Sequence, residues 1–202
     1  MQPVRGTHDH LFEDRKKFEH IVSTAHNIAE SYGYYHMDTP IFEFSDVFKK
    51  SLGDSSDIVS KEMYTFIDRS NEEITLRPEG TAGIIRAIIS NGLTHQMPFK
   101  TFYSGPMFRY ERPQKGRYRE FHQVGAEIIG SNNNNASANC VEILRGSVNF
   151  LQNLNVEFSL IINTIGISED RDKYMKTLEK YFYSNKSKLS DESVKRIKSH
   201  LY

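Results

Sequence analysis

No stretch constrains the fold of this chain more than Phe108 to Glu127, FRYERPQKGRYREFHQVGAE. It reads as strand, exposed loop, strand. Residues 107–111 and 119–127 alternate, so each segment sends every second side chain to one face of a sheet. Met107, Arg109 and Glu111 share a face of the first segment, and Arg119, Phe121, Gln123, Gly125 and Glu127 share a face of the second. The loop between them, Arg112 to Tyr118, contains Pro113 and Gly116 and carries Arg112, Lys115 and Arg117. A basic loop at the mouth of two polar strand faces suits a polyphosphate.

A hairpin with one face in water is also polar and often charged on that face, and charge alone favours this simpler reading. The mixture of residues favours a site. Phe121 offers a stacking surface beside guanidiniums, Gln123 and Glu127 offer neutral and anionic hydrogen-bond partners, and Gly125 is expected to leave space above the sheet.

Composition narrows the partner. The 202 residues hold 26 basic and 26 acidic side chains, so no global field draws in nucleic acid. Residues 109–119 alone hold five Arg or Lys against one Glu, which favours one anionic ligand over a long phosphate track. Cys140 is the single cysteine and excludes an intrachain disulfide or a cysteine-rich zinc site. The first twenty residues are studded with charge, and nowhere do 18 apolar residues run together, so a cytoplasmic protein without a membrane span is expected.

In chain order, residues 1–11 form a polar entry segment with Arg5, His8, Asp9 and His10 as surface residues. A helix follows over about 12–31, with Phe18, Ile21, Val22, Ala25, Ile28 and Ala29 at helical spacing and Gly33 as its stop. Residues 34–44 read as extended, with Pro40 disfavouring a central strand. Ser45 is placed to cap a short helix that Gly53 ends, and Asp54 to Asp57 make a turn. Met63–Ile67 and Glu73–Leu76 form a hairpin. Arg77 to Thr81 lead into a buried helix of Ala82 to Ile89, with Glu79 at the strand-to-helix junction. There a carboxylate can satisfy backbone N–H groups at the helix start, and it becomes a ligand contact only if the same end of the sheet presents Gln123 and Glu127.

Residues 100–104 give a strand ending before Gly105 and Pro106. A polar insertion, SNNNNASAN, precedes a helix over about 138–153. Phe158, Leu160 and Ile162 alternate as a strand, and amphipathic helices follow over 169–184 and 190–199. Hairpin strands with irregularly interspersed helices predict an α+β fold, a mixed and mainly antiparallel sheet with flanking helices. His122 has opposite parity to Phe121 and Gln123 and is read as structural.

YGYYHMDTPIFE around Pro40, KEMYTFIDR, LRPEGTAG at 76–83 and FRYERPQKGRYREFHQVGAE at 108–127 resemble the N-terminal part of a class II aminoacyl-tRNA synthetase of the histidine-specific family. The resemblance runs from Arg5 to about Ile197, and its last two segments are highly specific. It implies activation of histidine by ATP to histidyl-adenylate, transfer to tRNA(His), Mg²⁺ held mainly by the ATP phosphates, no protein metal site, and a homodimer through the region around Pro40. It also implies a partial catalytic core, with 1–166 carrying the first two class motifs and 167–202 leading toward an insertion domain. The family's remaining segments are then missing, and the chain is expected to be a truncated form with weak or no activity of its own.

Residue by residue, the resemblance implies that Arg109 grips the α-phosphate, Glu111 recognises the adenine edge, Phe121 supports the ring and Arg117 contacts the outer phosphates. Gln123 counts among both the ATP and the histidine contacts, and with Arg109 is the implied catalytic pair. Glu79, Gly80 and Thr81 are implied to receive the ammonium, with Arg109 beside them, and Glu127 the imidazole. Ser137 to Asn139 depart from the Asp-Ala-Glu usual there. Two other readings stand beside the ligase: a synthetase-like regulatory subunit of histidine biosynthesis and an inert remnant. The joint presence of Glu79, Arg109, Arg117, Gln123 and Glu127 favours the ligase.

Overall fold

The structure, a computed structural model, describes residues 1–53, 56–131, 135–163, 168–190 and 193. It divides into two compact units, Met1–Phe158 and Ser159–Tyr202.

In the first unit, helix α1 (Phe12–Ser31) stops as expected: Gly33 adopts φ 76° and the Tyr34 N–H returns to the Ala29 carbonyl. The extended stretch splits around Pro40 into β1 (Tyr35–His36) and β2 (Phe42–Phe44). Helix α2 (Ser45–Leu52) follows, then the hairpin β3 (Tyr64–Ile67) and β4 (Glu73–Leu76), helix α3 (Thr81–Ser90), strands β5 (Phe99–Phe108) and β6 (Glu120–Ile129), and helix α4 (Ala136–Asn153). Two three-stranded sheets result, in the orders β1-β5-β6 and β2-β4-β3. Among the described strands only β1 with β5 is parallel. The fold is α+β with mainly antiparallel sheets, as the hairpin pattern requires.

Register decides which side chains meet. Thr101 pairs with Glu127, Tyr103 with Gly125, Gly105 with Gln123 and Met107 with Phe121, so these eight share one face. Ile84 and Ile88 of α3 pack on that face against Tyr103 and Met107. The opposite face gives Phe102 to Ala25 and Ala29 of α1, with Val124, Ile128 and Phe150 of α4 around them. Lys100 reinforces the α4 side, donating to Glu142 at 2.7 and 2.8 Å.

Four expectations change. Strand β5 does not end at Ser104; it runs through Gly105 and Pro106 to Phe108, where Arg77 lies alongside, its Nε donating to the Pro106 carbonyl and its own carbonyl accepting from the Phe108 N–H. The alternation of 107–111 extends beyond the strand, which ends at Phe108. Ser45 does not cap α2: its hydroxyl bonds the Glu73 carbonyl (3.2 Å) and Thr75 Oγ1 (2.5 Å), tying the helix to β4 instead. Phe158 to Ile162 form no strand. Leu160, Ile161 and Ile162 are all exposed, and no described strand pairs with them, so the alternation has no ladder to join.

In the second unit, helix α5 (Ser168–Ser184) matches the amphipathic pattern read over 169–184. The helix expected over 190–199 lies outside the described residues apart from Ser190 and Ser193, as do Asp54 and Ser55 of the expected turn and Asn132 to Asn134 of the polar insertion.

Candidate active site

The strand β4 to helix α3 junction and the β5–β6 hairpin build the site. At the junction, Glu79 is nearly buried and its two carboxylate oxygens accept from the Thr81 N–H at 2.6 Å and the Ala82 N–H at 2.9 Å. The carboxylate thus satisfies two donors of the first turn of α3 and complements the positive end of the helix. The half of the ligand condition that concerns Glu127 is met, because Thr81 Oγ1 donates to Glu127 Oε1 at 2.7 Å. The start of α3 and the far strand of the hairpin therefore converge on one point, with Glu79, Thr81 and Glu127 together.

Gln123 stands four residues from Glu127 on the same face of β6, with Gly125 between them. Its Oε1 is buried without a hydrogen-bond partner. A buried acceptor left unmade costs about 1–3 kcal/mol, which a ligand N–H would recover.

Farther along the hairpin, Arg109 donates from Nε to the Pro78 carbonyl at 2.9 Å, and its guanidinium carbon lies 5.1 Å from the Phe121 ring centroid. No acceptor among the described residues holds its terminal nitrogens. A cation beside an aromatic face can take an anion and leave room for a planar ring. In the loop, Arg117 Nε lies 2.8 Å from Glu111 Oε2, although without hydrogen-bond alignment, so that oxygen is buried beside a charge with no donor aimed at it. The two residues expected at the outer phosphates and at the adenine edge thus face each other.

Gly125 does not leave open space. A Cβ at Gly125, or at Gly80, would run into the Tyr103 ring, which fills the hollow between the two glycines. Sequence reasoning missed Tyr103, although its register partner is a glycine and aromatic rings commonly lie over glycine across a sheet. It also missed Arg77, whose Nε bonds the Pro106 carbonyl (2.9 Å) and whose Nη1 bonds the Thr39 carbonyl (2.9 Å). Burial lowers the pKa of Arg77 from its ordinary value, and Asp38, Tyr103 and Glu43 oppose that shift. The N-terminal segment keeps Arg5, His8, Asp9 and His10 exposed as expected, and it also touches the hairpin. The Gly6 carbonyl accepts from the N–H groups of Arg119 (2.8 Å) and Glu120 (3.3 Å), and His8 packs edge-on against Tyr118 with ring centroids 4.1 Å apart. It braces the base of the basic loop. His122, by contrast, points to the other face as expected and packs against Phe18 of α1.

Sheet, helix junction and hairpin together have the architecture of a class II aminoacyl-tRNA synthetase catalytic domain. A family model for histidyl-tRNA synthetase matches residues 6–170. Histidine-tRNA ligase of Gluconacetobacter diazotrophicus is 51% identical over 197 residues, 98% of this chain and 47% of that protein. The crystal structure of apo S. aureus histidyl-tRNA synthetase superposes with a TM-score of 0.73 at 33% identity, over 98% of this chain and 46% of that one. An ATP phosphoribosyltransferase regulatory subunit/histidyl-tRNA synthetase from Bacillus halodurans shares the fold, with a TM-score of 0.61 at 23% identity, over 74% of this chain and 38% of that one. The chain belongs to the histidyl-tRNA synthetase family. It spans about half the length of the curated relatives it matches.

Proposed function

We propose that the hairpin face binds L-histidine and ATP and belongs to a ligase that forms histidyl-adenylate and passes the histidyl group to tRNA(His). One observation carries this reading: Glu79, Thr81 and Glu127 converge through the 2.7 Å Thr81–Glu127 hydrogen bond, on the face of β6 that also carries the unpartnered Gln123 Oε1. That end suits an ammonium and an imidazole N–H, while Arg109 over Phe121 suits a phosphate and an adenine. Glu111 and Arg117 complete the nucleotide end once their mutual pairing gives way to the ligand.

The reaction needs no protein nucleophile. A carboxylate oxygen of histidine forms a bond to the α-phosphorus, and the bond from that phosphorus to the bridging oxygen of pyrophosphate breaks. Arg109 offsets charge developing on the α-phosphate, and Gln123 orients the amino acid. Magnesium would arrive on the ATP phosphates, held mainly by their oxygens. There it would neutralise phosphate charge.

The same reading includes a homodimer. Ile41, Phe42 and Phe44 lie exposed on either side of β2, an edge strand next to Pro40, and an apolar edge of this kind is what a second subunit covers. Among the described residues no helix is long and apolar enough to cross a membrane.

A non-hydrolysable histidyl-adenylate analogue tests the site. It should bind one equivalent per chain and be displaced by ATP and by L-histidine separately. Displacement by neither would reject the reading.

A further inference from the structure

Tyr103 has no part in the reading above, yet it is built into the same point. Its side chain is 5% exposed, and Gly80 and Gly125 are the two positions whose missing side chains make room for its ring. Its hydroxyl donates to Glu127 Oε1 at 3.4 Å, the same oxygen that takes the Thr81 hydroxyl at 2.7 Å. Burial, with the charges of Glu127 and Glu79, pushes the phenol up to about 12 against the lowering effect of Thr81, so it stays a donor throughout the neutral range. Both donors thus hold Oε1, and among the described residues none reaches Oε2.

We infer that Tyr103 is a positioning residue that sets specificity: it locks Glu127 through Oε1 so that Oε2 alone meets the ring N–H of the amino acid. This rests on the proposed role of Glu127 as the imidazole acceptor. A carboxylate held by one oxygen offers the other in a fixed direction, and a ring without an N–H then leaves it unpaired. With its own proton committed to Glu127, the Thr81 hydroxyl presents lone pairs to the ammonium. Glycine at 80 and 125 serves the same end, since either Cβ would displace the ring.

The test uses the whole 202-residue chain in calorimetric titrations with L-histidine, a ring-N-methylated histidine and ATP. Tyr103→Phe keeps the ring and removes the donor. Histidine affinity should fall roughly fivefold to tenfold, discrimination against the methylated ligand should narrow, and ATP affinity should hold within about twofold. Replacing Tyr103 by 3-fluorotyrosine, which keeps the donor, should restore both affinity and discrimination. An unchanged preference in Tyr103→Phe would overturn the inference. So would equal losses for histidine and ATP that fluorotyrosine leaves uncorrected, because that pattern marks a purely structural ring. If the unsubstituted chain ignores L-histidine, the reading of the site falls and takes this inference with it. If it binds histidine and the variant binds equally well, only this inference falls.

Discussion

Arg117 Nε lies 2.8 Å from Glu111 Oε2, which places the exposed cation of the basic loop against a largely buried carboxylate. A ligand phosphate must draw Arg117 away from that partner. Pyrophosphate, which has no base, isolates this competition. Arg117→Ala should weaken pyrophosphate binding roughly threefold to tenfold at physiological salt, a modest loss because the arginine is largely in water. Glu111→Gln removes the competing charge and should tighten it about twofold. Equal pyrophosphate affinities in titrations of all three proteins would show that the loop pair does not compete with the ligand.

Arg77 ties the segment ahead of β2 to β5 through the carbonyls of Thr39 and Pro106. Arg77→Met leaves those partly buried acceptors short of donors and should cost about 1–3 kcal/mol in urea unfolding. Gly105→Ala should also destabilise, since its Cβ meets a guanidinium already held at two points. Stability within about 0.5 kcal/mol of the unsubstituted chain in both variants would contradict this clamp.

Acid should loosen the face of the sheet that packs on α1. Burial, then the charge of His10, lowers the pKa of His122 from its ordinary 6.5, with Glu120 opposing and Arg15 and Arg77 adding to the effect. The folded state therefore takes up a proton at lower pH than the unfolded state. As pH falls through the ordinary imidazole range, the unfolded chain binds more protons and stability is lost; above that range the effect vanishes. Thermal midpoints at neutral and at mildly acidic pH should fall further apart in the unsubstituted chain than in His122→Phe. An equal fall in both would remove His122 as the cause.

Subunit association is expected to run through the apolar edge of β2. Phe42, 58% exposed, is the probe. Phe42→Asp should lower the mass found by sedimentation velocity from dimer to monomer. An unchanged dimer would move the interface elsewhere.

Much of the site was legible because a strand repeats every two residues. Parity alone put Phe121, Gln123, Gly125 and Glu127 on one face and His122 on the other, and the register agrees. The strand-to-helix junction was equally readable, since Glu79 precedes an apolar helix and its carboxylate does bond the first N–H groups. Parity carries no information on what fills the space above a glycine, so the Tyr103 ring was missed. Nor does it report a partner strand, so Phe158 to Ile162 alternated without pairing. Ser45 illustrates a third limit. Its position before a helix satisfied local capping rules, but Thr75 and the Glu73 carbonyl, about thirty residues away in the chain, offered it a better-placed hydrogen bond.

The most direct test of the whole account is a crossed titration of Arg109→Ala and Glu127→Ala with ATP and with L-histidine. A hydrogen bond to a charged group contributes about 1.5–3 kcal/mol, so each matched loss should be roughly tenfold or more. Arg109→Ala should weaken ATP, while Glu127→Ala should weaken L-histidine and largely spare ATP. Small and equal effects in all four titrations would contradict the account and leave the hairpin as an ordinary solvated face.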